Sequence, residues 1–163
     1  LLGGSVWTGA SGQNQYSFDV WTTIWELHAQ FDWKGLHTRA LYTQSHVGDA
    51  RQLSNATGRT IASRSLGGYA EVAYDILPLF MSDTAMRLEP FYRFEWTETQ
   101  NKMPQGIQAN QYDNFRVNMV GLQFYPHPQV VLKADYRNVH ALGRNSKGQQ
   151  RPDEAQVGIG YVF

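Results

Sequence analysis

The sequence predicts an all-β fold, a transmembrane antiparallel β-barrel with about eight meandering strands in one domain, residues 1–163. Three observations carry this expectation. Apolar residues recur at every second position, most clearly at 86–96 and 153–163, which is the period of a strand with two unlike faces. Aromatic residues make up 13% of the chain, with five Trp and nine Tyr, a content that fits strands flanked by girdles of interfacial rings. Shorter and longer connections alternate along the chain, as they do when turns lie on one rim of a barrel and loops on the other.

The composition narrows the function classes. With 14 basic and 14 acidic residues the chain carries no net charge to draw nucleic acid or an anionic membrane surface. It has no cysteine, which removes disulfides, thiolate metal sites and thiol nucleophiles together. No apolar run approaches the ~18 residues of a transmembrane helix. The mean hydropathy of −0.47 looks like that of a soluble protein, but a membrane strand needs only its lipid-facing half to be apolar, so a barrel averages out polar. No initiator Met or signal peptide stands at Leu1, so the chain is expected to be processed or part of something longer.

The strands are expected in this order. Residues 1–10 form a Gly-rich strand around Val6 and Trp7, followed by a polar turn at 11–15. In the next, 18–33, Trp25, Leu27, Ala29, Phe31 and Trp33 make one face, and Glu26, His28, Gln30 and Asp32 the other. Lys34-Gly35 reverses the chain into a strand from Leu36 to about 45, with Thr38, Ala40 and Tyr42 on the apolar side and His37 and Arg39 on the polar side. Polar residues 46–65 read as an exposed loop. Residues 67–76 alternate Ala70, Val72, Tyr74 and Ile76 against Tyr69, Glu71, Ala73 and Asp75. After a turn at 77–84, residues 86–96 set Leu88, Pro90, Tyr92, Phe94 and Trp96 against Arg87, Glu89, Phe91, Arg93 and Glu95. On a soluble sheet the ring face would need a covering layer, and no other segment can supply one. Pro90 predicts a bulge or an unpaired amide.

Residues 97–112 read as a second long loop. In 114–124, Phe115, Val117 and Met119 favour one apolar face, while Val120, Leu122 and Phe124 favour the other. A β-bulge near Met119 would reconcile them. A rigid turn at 125–129 leads to 130–139, where Val130, Leu132, Ala134 and Tyr136 oppose Lys133, Asp135 and Arg137. The loop 140–152 precedes the last strand. The one exception to the short-and-long rule is the link at 11–15, short but on the long-loop rim. An even strand count puts Leu1 and Phe163 on the same, turn-side rim.

Val157, Ile159, Tyr161 and Phe163 step back by twos from an aromatic terminus. This ending resembles the last strand of bacterial outer-membrane β-barrel proteins, and the resemblance implies a membrane-insertion signature read by the outer-membrane assembly machinery. From Gly67 onward the chain is similar to porins of the phosphate-selective porin O and P family. The likeness lies in 68–72, 88–95, 125–136 and 157–163, and the hairpin around Tyr125 is its most specific piece. It implies a bacterial outer-membrane location, contact with outer-membrane lipid, a homotrimer, and a chain that is the C-terminal half of a barrel of about 16 strands. Eight strands can also close alone, with an interior just wide enough for side chains to fill.

The residues expected to line a pore are Glu26, His28, His37, Arg39, Glu71, Arg87, Glu89, Arg93, Glu95, Lys133, Asp135 and Arg137. Their signs are nearly matched and interleaved, whereas a phosphate filter would want an excess of cations at a constriction, so phosphate specificity is not carried over. One reading makes these charges a network of wall pairs. The other makes Arg87, Arg93, Lys133 and Arg137 a basic strip that guides anions, over a range that salt limits to roughly 8 Å. The five His lack metal-ligand spacing, and His28 and His37 share a polar face without an acidic set that demands a metal. No cofactor and no enzymatic residue set is expected. Three functions follow: a porin passing small hydrophilic solutes or ions with a weak anion preference, a closed eight-stranded barrel with a structural or adhesive role, and a soluble ligand-binding barrel, which would need its Trp- and Phe-rich faces turned inward.

Overall fold

The period-two pattern folds into one sheet of eight strands: β1 (Leu2–Ala10), β2 (Trp21–Trp33), β3 (Leu36–Val47), β4 (Arg64–Tyr74), β5 (Arg87–Lys102), β6 (Asn114–His127), β7 (Val130–Ala141) and β8 (Glu154–Tyr161). This computed structural model describes residues 1–161, and the expected terminal residue Phe163 lies outside the described residues. Each strand pairs antiparallel with the next in chain order. Among the described residues no ladder joins β8 back to β1, so both outer strands present backbone groups along one edge.

Register decides which side chains share a face. Leu2 lies opposite Ala29, Ala29 opposite Ala40, Ala40 opposite Ala70, and Ala70 opposite Phe94. Farther along, Tyr92 meets Val120, Val120 meets Tyr136, and Tyr136 meets Ala155. The apolar sets of all eight strands therefore fall on one side of the sheet, which a one-residue slip in any ladder would undo. The β2–β3 register is pinned by Lys34-Gly35, whose φ values of 47° and 83° are both positive, as a two-residue type I′ turn requires.

The two faces differ in cover. Ala73, Phe91, Val117, Met119 and Ala141, together with Glu71 and Glu89, are buried and all project to the face that carries the charges. On the other face Leu27 is 59% exposed, Ile159 75% and Val157 88%. Among the described residues no second layer lies over either side of the strands. A single sheet hides one face only by curling around it, in the sense its own twist favours. The charged face is thus the inner one and the apolar face the outer.

Several elements depart from the sequence reading. Residues 46–65 are not all loop: Ala50–Thr57 form a helix, α1, with Gly58 at φ 67° ending it. Its buried Ala50 and Ser54 lie one turn apart, and Ser54 Oγ donates to the Ala50 carbonyl at 2.7 Å and accepts from the Ile61 amide at 3.1 Å. Strand β5 runs on to Lys102, through residues expected to be loop, because a ladder needs no apolar face once it leaves the apolar band. Strand β2 starts at Trp21, so the first connection spans 11–20 and is no longer an unusually short link on the loop rim. The β4–β5 connection, 75–86, is as long as the loops opposite and contains a 3-10 turn at Leu77–Leu79. Strand β6 has no bulge near Met119: its pairing with β5 is continuous from Asn114 to Tyr125, and the irregularity with β7 falls between Phe124 and His127. Pro90 sits where the β4 ladder has ended at Ala73 and Phe91, so its missing N–H costs no bond there. Next to it the Asp75 carboxylate takes over from the ladder, accepting the amides of Leu77 and Leu88 at 3.1 Å each.

Candidate functional site

The register places all twelve residues expected to line a pore on the inner face, because each sits at the polar phase of its strand and faces another such position across the ladder. It also brings opposite charges together. Asp32 and His37 are cross-strand partners, with Nδ1 2.6 Å from Oδ1. Glu71 and Arg93 are likewise opposite, and Arg93 Nε donates to Glu71 Oε2 at 2.8 Å. The same guanidinium reaches Glu95 at 3.2 Å through Nη1. Arg137 donates to its partner Glu154 at 2.7 Å and approaches Glu95, two strands away, to 3.6 Å. Arg87 meets Glu89 at 3.0 Å, Lys133 meets Asp135 at 3.7 Å, and His28 meets Glu26 at 2.9 Å. His37 Nε2 comes within 3.6 Å of Glu89, tying β3 to β5.

The result is a chain of alternating charges across the inner wall. Arg87, Arg93, Lys133 and Arg137, the residues of the expected basic strip, each have a carboxylate within 4.0 Å. Of the five cations expected to line the pore, Arg39 alone has no ion pair among the described residues, and it is exposed. Rings on the same face add a second support. Arg93 stacks over Tyr69 at 4.2 Å, Arg87 over Tyr125 at 4.1 Å and Lys133 over Phe91 at 4.6 Å, contacts that hold a cation without cancelling its charge.

The inner wall also has a dry spot. Ala73, Phe91 and Met119 form a buried cluster beside Glu71 and Glu89. Gly121 makes it possible: a Cβ there would stand 2.5 Å from the Phe91 ring, 2.6 Å from the Ala134 carbonyl and 2.7 Å from Asp135 Cβ. Sequence reasoning set Tyr69 and Phe91 on this face without counting them among the lining residues, and it missed Tyr125 and Met119 as parts of this surface. Tyr69 and Phe91 do fall on the polar phase of their strands, and that phase is the only signal the sequence gives for them. His28 and His37 each gain acidic neighbours that the sequence did not pair with them, but among the described residues no group of three or more His, Cys, Asp or Glu is placed to hold a metal ion.

Val157, Ile159 and Tyr161 of the expected insertion signature lie on the outer face of β8 and are exposed. The outer face also carries rings at two levels. Trp25, Tyr42 and Trp96 form a contiguous group toward the loops, with centroids 5.2 and 6.4 Å apart, and Trp33 and Tyr74 stand near the turns.

No family model matches the chain, and no solved structure matches it. An uncharacterized protein of Aquifex aeolicus (strain VF5) is 29% identical over 149 residues, covering 86% of this chain and 33% of that relative. The chain thus spans about a third of the relative's length.

Proposed function

We propose that this chain is a wall segment of an outer-membrane β-barrel pore, its outer face against lipid and its inner face lining a water-filled path for small hydrophilic solutes or ions. One observation carries the reading: Leu27, Phe31, Val120, Leu122, Val157 and Ile159 are exposed on the outer face, while Glu71, Glu89 and Arg93 lie on the covered face, the reverse of a soluble sheet. A soluble ligand-binding barrel would turn its rings inward, and here Trp25, Trp33, Tyr92 and Trp96 point out. The apolar band fits a membrane in height. Trp25 and Trp33 are eight residues apart on β2, about 26 Å along a strand and about 20 Å once tilted by ~40°.

The bare edges of β1 and β8 support a larger barrel. Unpaired backbone in lipid is too costly to persist, so further strands, of the same polypeptide or another copy, complete the wall. A chain that covers a third of its relative fits this, as does the implied trimer. The paired charges predict weak selectivity, with Arg39 supplying what anion preference there is. Single-channel recording of the full-length protein in planar bilayers tests the pore. Ohmic steps are expected, and a correctly inserted preparation that never conducts overturns it.

A closed eight-stranded barrel with a structural or adhesive role is the second reading, favoured by the apolar cluster of Ala73, Phe91 and Met119. Spin labels at Ser5 on β1 and Gln156 on β8 separate the two. Neighbouring strands lie about 4.8 Å apart, so a closed small barrel gives a short label distance and a larger one a long distance.

A further inference from the structure

We propose that the outer face carries a binding site for the phosphorylated headgroup of a membrane lipid, built from His46, Arg64 and Lys102 just beyond the ring band. The inference rests on the assignment of the apolar face to lipid made above and adds to it which lipid chemistry that face selects.

The site follows from register. His46 lies opposite Arg64, and Arg64 opposite Lys102, on three successive strands. Directly paired residues stand about 5 Å apart, so the imidazole and the two cations Arg64 and Lys102 form one short row across β3, β4 and β5. His46 is two residues past Gln44, the partner of Trp25, which sets the row immediately beyond the rings of Trp25, Tyr42 and Trp96. At a membrane surface that is headgroup depth, where long basic side chains reach phosphate while rings mark the edge of the hydrocarbon.

The charges in the row are uncommitted. His46 and Lys102 are exposed, and none of the three has an ion pair among the described residues, in contrast to Arg93, Arg116 and Arg137. The acid nearest in register is Glu98, opposite Leu66, and it is already taken: Arg116 Nη2 donates to Glu98 Oε1 at 2.6 Å and Asn101 Nδ2 donates to Oε2 at 2.6 Å. Asn101 in turn accepts from Arg64 Nε at 2.7 Å. This relay orients the Arg64 guanidinium through one nitrogen and leaves both Nη groups for a ligand, the geometry that suits bidentate phosphate recognition. The register shift between Arg64 and Leu66, where β5 bulges, brings Asn101 into the relay.

Below the row the outer face offers a seat for acyl chains. Ala29, Ala40 and Ala70 are register partners on β2, β3 and β4 and leave a depression of about 510 Å³ walled by Leu2, Leu27, Tyr42 and Trp96. Cations above an apolar trough match an amphiphile with a phosphate head. The overall charge balance hides this, because acids and bases cancel across the chain while the row itself is of one sign.

The test uses the full-length protein reconstituted into phosphatidylcholine vesicles doped either with a diphosphorylated glycolipid or with the same glycolipid after dephosphorylation. Vesicle flotation reports insertion, and native mass spectrometry of the protein released from each preparation reports the glycolipid retained. Equal insertion with preferential retention of the phosphorylated form is expected. Removing Arg64 or Lys102 as Arg64→Gln or Lys102→Gln should weaken retention about fivefold each, the effect of one cation near an anionic surface. Lys102→Gln changes an exposed side chain and keeps the test open if Arg64→Gln does not fold. Normal insertion with equal retention of both glycolipids overturns the site and leaves the membrane assignment standing, whereas failure to insert overturns both. Loss of the bound glycolipid on adding inorganic phosphate at its own concentration would show a free-phosphate site and also overturn the lipid proposal.

Discussion

Within β6, Leu122 and Gln123 are chain neighbours on opposite faces of the sheet, and the same holds for Tyr92 and Arg93 on β5. Leu122 and Tyr92 are exposed apolar or ring residues, whereas Arg93 is held between Glu71 and Glu95. One face thus tolerates bare hydrocarbon, and the other spends its polar groups on each other. That difference teaches what the proposed function has to explain: exposed hydrocarbon on the outer face and polar groups paired with one another on the inner face.

The sharpest way to break the comparison is to move a charge from the inner face to the outer. Val120, between Tyr92 and Tyr136 at mid-band, should cost about 2–4 kcal/mol as Val120→Arg, read by denaturant titration of the protein folded into vesicles. Gln123→Arg, on the inner face of the same strand, should cost about 0.5 kcal/mol or less. Equal effects would mean that the two faces meet the same medium.

Next in size is the core of the charged wall. Arg93→Ala strands the buried Glu71 and should cost about 2–3 kcal/mol. Arg137→Ala, whose partner Glu154 is well exposed, should cost about 1 kcal/mol or less. Gly121→Leu forces a side chain against Phe91 and the Ala134 carbonyl and should cost about 1–3 kcal/mol, whereas Gly158→Leu, which meets nothing within 4 Å, should be close to neutral.

Smaller effects sharpen the selectivity and the loop rim. Arg39→Ala should leave stability within about 0.5 kcal/mol and shift the reversal potential toward cations, a change that Arg87→Ala should reproduce less strongly because Arg87 is already balanced by Glu89. Asp153, in the loop before β8, accepts from the Tyr136 hydroxyl at 2.6 Å, the Val139 amide at 2.9 Å and the Asn138 amide at 3.1 Å. These donors, Tyr136 foremost, hold its carboxyl below the usual range. A depressed folded-state pKa stabilises above the unfolded-state pKa, and that stabilisation is lost as pH falls through the folded value. Asp153→Asn should therefore lower stability at neutral pH and leave the most acidic end in place, so that the acid limb of the profile flattens.

Much of this was legible in the sequence because alternation states directly which side chains share a face. The strands around Trp25, Tyr92 and Ile159 are found where the pattern puts them, as is the Lys34-Gly35 turn. What alternation cannot express is the state of the polar phase. Val117 and Met119 looked like a phase error that called for a bulge, but Met119 packs with Phe91 and Ala73 in a dry part of the inner wall and Val117 is buried on the same face. The last residues of β5 lost their apolar partners on leaving the band and read as loop. Helix α1 escaped because two buried positions, Ala50 and Ser54, are too few to show a period. The row of His46, Arg64 and Lys102 exists only through pairing, since the three residues are far apart in the chain.

The assignment of the faces is tested most directly by spin labels at Leu122 and Gln123, compared in vesicles for collision with oxygen, which concentrates in hydrocarbon, and with a water-soluble nickel chelate. The account predicts a label at Leu122 open to oxygen and shielded from nickel, and a label at Gln123 open to nickel. A Leu122 label that meets nickel as freely as the Gln123 label, or that is shielded from both reagents, would contradict it.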